Sequence, residues 1–201
     1  MVAKIDAKRY TLEEYLELDR NSEERLEYWY GEIFNMSGAS AAHDRILTNF
    51  IFHLRLNSRG RDCEVFSSDM RVKVPLLLTY RYPDVSALCG EAQFEEVGGV
   101  DVLTNPALII EVLSNSTEAY DRGDKFTHYK SIPSFNEYLL VAQHRPHVTH
   151  LVKREDGLWT YDELNDLESS LKLAALDCVL AMSDVYQNVS FSSETSSEPQ
   201  S

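Results

Sequence analysis

Residues 107–142 read ALIIEVLSNSTEAYDRGDKFTHYKSIPSFNEYLLVA, and the order of patterns in this stretch decides the fold. Ala107 to Leu113 is apolar almost throughout, as a central strand buried on both faces is. A helix follows from about Ser116 to Lys130, with Asn115 as its cap and Glu118 three residues on. The Ile132-Pro133 step stops it. Phe135 to Ala142 is a second strand of the buried type. A strand, one helix and a strand make a crossover unit, which joins parallel neighbours in one sheet. The exception inside the first strand is Glu111, which shares a face with Ala107, Ile109 and Leu113. A buried carboxylate must be paired, neutralised or metal-bound, because stripping it of water costs several kcal/mol. From this residue alone, an internal ion pair and a functional role weigh equally.

Two further groups gain meaning beside Glu111. Asp84 opens the strand Pro83 to Leu88. Alone it reads as a turn residue; paired with Glu111 it could share one hard cation, since Mg²⁺ takes a few carboxylates plus waters. Lys125 lies on the crossover helix, on the face of Phe126 and Tyr129. Alone it reads as the partner of Asp121 at i, i+4. Together, a lysine, two carboxylates and a metal form a working set for phosphodiester hydrolysis. The metal polarises the phosphoryl oxygen and acidifies a bound water, and the ammonium stabilises the hydroxide or the developing charge.

The rest of the chain places these groups in a mixed α/β (α+β) domain. Thr11 and Glu14 form a capping box for a helix to Leu18. Glu27 to Met36 reads as one strand. Ser40 to Ser58 is the clearest helix, with His43, Leu47, Phe50 and Leu54 on one face and Gly60 beyond its end. Phe66 to Val74 alternates as a single strand up to Pro75. Gly90 to Asn105 reads as a polar loop, with Gly98-Gly99 inside it. Asp156-Gly157 joins two alternating runs, His147 to Arg154 and Leu158 to Leu164, as a hairpin. A strand and a short helix, Leu171 to Gln187, complete the body.

Composition excludes several classes. The chain has 201 residues, with 19 Lys plus Arg against 33 Asp plus Glu, a formal net charge of −14. That length suits one domain, taken as residues 1–189. The last twelve residues, SFSSETSSEPQS, are too polar to offset their ordering entropy and read as a disordered tail, 190–201. No apolar run approaches the roughly 20 residues of a membrane span, and no secretory leader is evident. Cys63, Cys89 and Cys178 lie far apart, so the expectation is reduced thiols in the cytoplasm rather than a disulfide or a thiolate zinc site. The acidic balance disfavours non-specific nucleic-acid binding, while a divalent cation can reverse the sign at one site.

The motifs Pro83-Asp84-Val85-Ser86, Ile110-Glu111-Val112-Leu113-Ser114 and Ser116 to Phe126 closely resemble the Uma-two-type family of restriction-endonuclease-like proteins. Glu27-Tyr28-Trp29-Tyr30-Gly31-Glu32-Ile33, His43, Ile132-Pro133-Ser134 and Glu137 to Val141 fit the same pattern. That family is placed in the PD-(D/E)XK nuclease superfamily. The resemblance implies a restriction-endonuclease-like fold, a central mixed β-sheet flanked by helices, with a Mg²⁺ site that Mn²⁺ could also fill. It carries the metal-binding Asp to Asp84, the second acidic ligand to Glu111 and an accessory acid to Glu27. The superfamily pattern puts lysine two residues after the acid; here that position is Leu113, and Lys125 is the candidate substitute.

The expected activity is Mg²⁺-dependent hydrolysis of DNA by a homodimer. The alternatives are a nuclease-fold binding or regulatory dimer that does not cut, and a nuclease for RNA or structured nucleic acid. Bottom-up, Glu27 reads as a solvated edge residue and His43 as a neutral, inward, hydrogen-bonded core histidine rather than a catalyst, one that could also border the site. His147 and His150 face opposite sides of a strand and read as structural or exposed. Arg122 reads as an exposed helix arginine, and the hairpin bearing Trp159 and Tyr161 as a candidate dimer surface.

Overall fold

The expected crossover forms the centre of the molecule. The computed structural model describes residues 3–4, 8–22, 24, 26–29, 31–35, 38–77, 79–114 and 118–191. The expected Asn115 cap and most of the expected tail, residues 192–201, fall outside them. In chain order the structure runs β1 (Ala3–Lys4), α1 (Leu12–Asn21), β2 (Leu26–Trp29), β3 (Glu32–Asn35), α2 (Ala41–Asn57), β4 (Cys63–Ser67) and β5 (Arg71–Val74). Next come β6 (Thr79–Arg81), β7 (Val85–Cys89), β8 (Phe94–Val97), β9 (Val100–Leu103) and β10 (Leu108–Leu113). The crossover is α3 (Glu118–Tyr120), a π-helical turn at Asp121–Lys125, and α4 (Phe126–Tyr129). Then come β11 (Glu137–Ala142), β12 (Val148–Lys153), β13 (Trp159–Leu164), β14 (Ser170–Leu173), β15 (Cys178–Ala181) and α5 (Met182–Val185).

The central sheet has six strands in the order β13-β12-β11-β10-β7-β4. β10 and β11 pair in parallel, and every other neighbouring pair is antiparallel. Both faces of β10 are covered. Ile110 and Val112 pack with Ile46, Phe50 and Leu54 of α2. Ile109 and Leu113 pack on the other face with Tyr129, Ile132, Phe135 and Tyr138. Each such large apolar side chain contributes roughly 1.5–3 kcal/mol by leaving water. The architecture is thus a mixed α+β fold with helices on a mixed central sheet. Among the described residues no helix is long and apolar enough to cross a membrane.

Local signals explain the helix ends. The Thr11–Glu14 capping box is present on α1, and the Ser40 hydroxyl accepts from the His43 N–H at 3.1 Å to start α2. Several strands are shorter than their alternation suggests, because turns interrupt them. The run expected as one strand is a hairpin of Leu26–Trp29 on Glu32–Asn35, with Gly31 between them at φ 82°. Phe66 to Val74 divides between two sheets, since Met70 N–H closes a turn on the Ser67 carbonyl at 3.0 Å. Residues 90–105 are not one loop but hold a hairpin: Gly98 and Gly99, both at positive φ, turn β8 back onto β9. Two such residues in succession supply the twist a tight hairpin needs. β9 pairs with β5 to build a second, four-stranded sheet, β6-β5-β9-β8. The run from Leu171 is likewise a hairpin, β14 on β15. The Asp156-Gly157 hairpin forms as expected, with Trp159 half-buried, edge-on against Phe126 at 5.0 Å, and Tyr161 exposed.

The cysteines overturn their expectation. Cys63 and Cys89 are direct partners across β4 and β7 and form a disulfide; Cys178 is free and buried. Sequence separation hid this contact, which exists only because the two strands are neighbours in the sheet. Thiol titration of the denatured chain should therefore find one thiol before reduction and all three after it. Three thiols without reductant would dismiss the bridge.

Candidate active site

The antiparallel register of β7 and β10 pairs Ile110 with Val85. One step further it sets Asp84 beside Glu111, where the ladder ends and the two chains are free to diverge. Asp84 Oδ2 accepts the Val112 N–H at 2.7 Å and lies 3.2 Å from His43 Nε2. The side chain of Asp84 is 17% exposed. Glu111 is buried beside it, and its Oε1 accepts from the Tyr129 hydroxyl at 2.8 Å and meets Lys125 Nζ at 2.9 Å. In both carboxylates the contacts fall on one oxygen only. Among the described residues, Asp84 Oδ1 and Glu111 Oε2 are left without a hydrogen bond.

Lys125 reaches this point because the π-helical turn sets it one turn before Tyr129, on the same inward face. Its ammonium also lies 3.4 Å from Asp121 Oδ1. Burial alone would lower the pKa of the ammonium, but the charges of Glu111, Asp121 and Glu27 outweigh it and hold Lys125 well above its usual value. Burial, reinforced by the charges of Asp84 and Asp121 against that of Lys125, pushes the Glu111 carboxyl up to about 8. Burial and Glu111 together keep the Tyr129 phenol protonated, so it remains a donor.

Glu27 is no solvated edge residue. It is 2% exposed, and both its oxygens are taken: Oε2 by the Arg81 guanidinium at 2.9 Å and Oε1 by the Tyr82 N–H at 3.0 Å. Arg81, itself 1% exposed, also donates to the Tyr120 hydroxyl at 2.5 Å. Glu27 therefore anchors the strand leading into Asp84 and, through Arg81, the start of the crossover helix. Among the described residues both its oxygens are thus engaged within the protein. His43 lies against Asp84, its Nε2 3.2 Å from Oδ2 and its buried Nδ1 without a hydrogen-bond partner among the described residues.

The structure adds groups that sequence reasoning missed. Gln143 comes directly after β11 and donates to the Leu113 carbonyl at 2.9 Å, while its side-chain oxygen meets the Ser40 hydroxyl at the start of α2. Arg81 and Tyr82 stand directly before Pro83-Asp84, and an arginine inside an otherwise strand-like run was the signal available for them. Arg122 is not a free surface group; it bonds Glu118 at 2.9 Å and the Thr149 hydroxyl at 3.0 Å. His147 and His150 lie outside the site, paired with Asn165 at 2.7 Å and Glu137 at 2.6 Å.

Two carboxylates, each fixed through one oxygen with the other oxygen open, fit a hard cation that keeps most of its waters. Among the described residues no group of three or more His, Cys, Asp or Glu converges to hold a metal. Asp84 and Glu111 could supply two carboxylate oxygens, a set that would suit Mg²⁺ or Mn²⁺ bound together with a phosphate substrate better than a closed structural centre.

Along most of its length the chain is similar to known proteins. The Uma2 family model, described as "Putative restriction endonuclease", matches residues 12–183. A protein of Synechocystis sp., sll1609, described as uncharacterized, is 38% identical over 164 residues, covering 82% of this chain and 92% of that one. A second from the same organism, slr1290, also described as uncharacterized, is 35% identical over 184 residues, covering 89% and 92%. A crystal structure from Anabaena variabilis, described as a putative nuclease belonging to DUF820, matches with a TM-score of 0.71 at 17% identity, covering 88% of this chain and 97% of that one. At that identity the likeness speaks for the fold.

Proposed function

We infer that this chain, which belongs to the Uma2 putative restriction endonuclease family, is a metal-dependent nuclease that hydrolyses phosphodiester bonds in DNA. The observation that carries the reading is the pair of half-open carboxylates, Asp84 and Glu111, with the Lys125 ammonium 2.9 Å from the second. Asp84 Oδ1 and Glu111 Oε2 would hold Mg²⁺ or Mn²⁺. When bound, the cation supplies Lewis acidity toward a phosphoryl oxygen and a more acidic water. Lys125 is placed to steady negative charge on the attacking oxygen or the phosphorus centre. Tyr129 and Val112 hold the two carboxylates in position, and His43 limits the swing of Asp84.

The test is cleavage of supercoiled, linear and single-stranded DNA with Mg²⁺ or Mn²⁺, beside Asp84→Asn. Cutting by the parent and not by the variant supports the reading. Equal cutting by both removes Asp84 from the site. A cut made symmetrically on both strands would favour a homodimer, because a two-fold axis places one site on each strand.

The raised carboxyl gives a pH signature. Below about pH 8 Glu111 holds a proton in the folded chain that a cation must displace. Mn²⁺ affinity should therefore rise up to about tenfold per pH unit from pH 6 toward 8, with release of about one proton, and level off above. Calorimetric titration in two buffers of different ionisation heat measures both. The same shift works against folding: the folded-state pKa lies above the unfolded one, so stability without metal declines as pH climbs from the ordinary carboxylate range to about 8.

A further inference from the structure

The outer face of α2 is unlike the rest of this acidic surface. Between residues 41 and 61 the chain has four arginines and one aspartate, against a net charge of −14 for the whole. Ile46, Phe50 and Leu54 fix which side of α2 faces the sheet. At about 100° per residue, Arg45, Thr48, Phe52, Arg55 and Leu56 fall in a single arc on the opposite side, and Arg59 follows in the turn just after the helix. All six are exposed, with Phe52 at 59% and Leu56 at 47%. Among the described residues, Arg45 and Arg59 make no ion pair. Arg55 donates to the Val65 carbonyl at 3.0 Å and likewise meets no acid among them. Arg61 is different, since it turns away to the Leu176 and Asp177 carbonyls.

This stripe begins two residues after His43, which touches Asp84 from the other, inward side of the helix. From Arg45 to Arg55 the helix advances about 15 Å, the length of four or five nucleotides along one strand of a duplex. A second copy of the chain fits the face poorly. A two-fold axis through it would set arginine against arginine, with Asp44 the sole acid on the helix to relieve the repulsion.

We propose that the Arg45–Phe52–Arg55–Arg59 face of α2 is the surface that holds the nucleic-acid backbone. The proposal rests on the nuclease reading and extends it, by locating the contact that lets an acidic protein engage a polyanion. The arginines meet phosphates, and Phe52 with Leu56 covers the sugar edge between them. Phosphate contacts of this kind position the duplex without reading its sequence.

The experiment is fluorescence anisotropy of a labelled DNA duplex against the full chain, with Ca²⁺ in place of Mg²⁺ to prevent cutting, across a range of salt. The variants are R45A/R59A and R45K/R59K. The alanine pair should weaken binding about tenfold or more near 0.1 M salt and lower the salt slope by about 1.8, the share of two phosphate contacts. The lysine pair should keep both close to the parent. An unchanged affinity and slope in R45A/R59A overturns the proposal, and so does a parent that shows no affinity for the duplex. A shift from dimer to monomer in R45A/R59A by sedimentation, with DNA affinity intact, overturns it in favour of a copy-to-copy interface. Metal binding and cleavage with Asp84→Asn are read separately, so the stripe can fail while the nuclease reading stands.

Discussion

Glu111→Ala is expected to abolish metal-dependent cleavage and also to destabilise the fold by about 3 kcal/mol. The two effects have different origins. Cleavage is lost because one of the two open carboxylate oxygens disappears. Stability is lost because the buried Lys125 ammonium and Tyr129 hydroxyl both lose Glu111 Oε1 as an acceptor, and the ammonium, 3% exposed, keeps only Asp121 at 3.4 Å. Lys125→Met should behave otherwise. It strands a carboxyl that already holds its proton up to about pH 8, so near neutrality it loses activity with the smaller cost in stability. Denaturant melts of the two variants at pH 7 give the comparison. A larger loss in Lys125→Met would mean that Glu111 is held ionised and that its elevated carboxyl is misassigned.

Arg81→Met should cost more stability than any surface change, about 3–5 kcal/mol, because it leaves the Glu27 carboxylate uncompensated at 2% exposure. For a chain of this size that lowers Tm by about 10 °C. The loss also reaches the site, since Arg81 ties Glu27 to the Tyr120 hydroxyl at the head of the crossover helix. The double variant Glu27→Gln/Arg81→Met should recover part of the stability while leaving cleavage impaired. If Arg81→Met melts like the parent, the buried pair does not hold these elements together.

Much of this was legible from residue order. The crossover was, because Ala107–Leu113 and Phe135–Ala142 are too apolar for any place except a covered sheet, and the helix between them allows only parallel pairing. Glu111 announced itself by its company. Asp84 was visible only in combination, as nothing in Pro83-Asp84 distinguishes a ligand from a turn. The errors share one cause, that alternation does not show where a strand stops. Ser67 to Met70 and Gly98-Gly99 carry turn chemistry that cuts apparent runs or folds apparent loops, and the second sheet is built by those turns. The Cys63–Cys89 bridge and the Glu27–Arg81 pair were out of reach for another reason. Their partners lie 26 and 54 residues apart and meet only through tertiary placement, which no local pattern encodes.

The wide turn at Asp121–Lys125 implies something about how the lysine could arise on a helix at all. A π turn holds one residue more than an α turn and is the local signature of a single-residue insertion. Removing one residue there, Gly123 being the simplest, would restore a regular helix and rotate the residues before the turn relative to those after it by about 100°. Lys125 and Tyr129 could then keep their grip on Glu111 only if Tyr120 lost its place against Arg81, or the reverse. The extra residue thus works as a phase shift that lets one short helix satisfy two fixed partners at once. The chain can lengthen or shorten in its surface turns, but at this point its length is set by geometry.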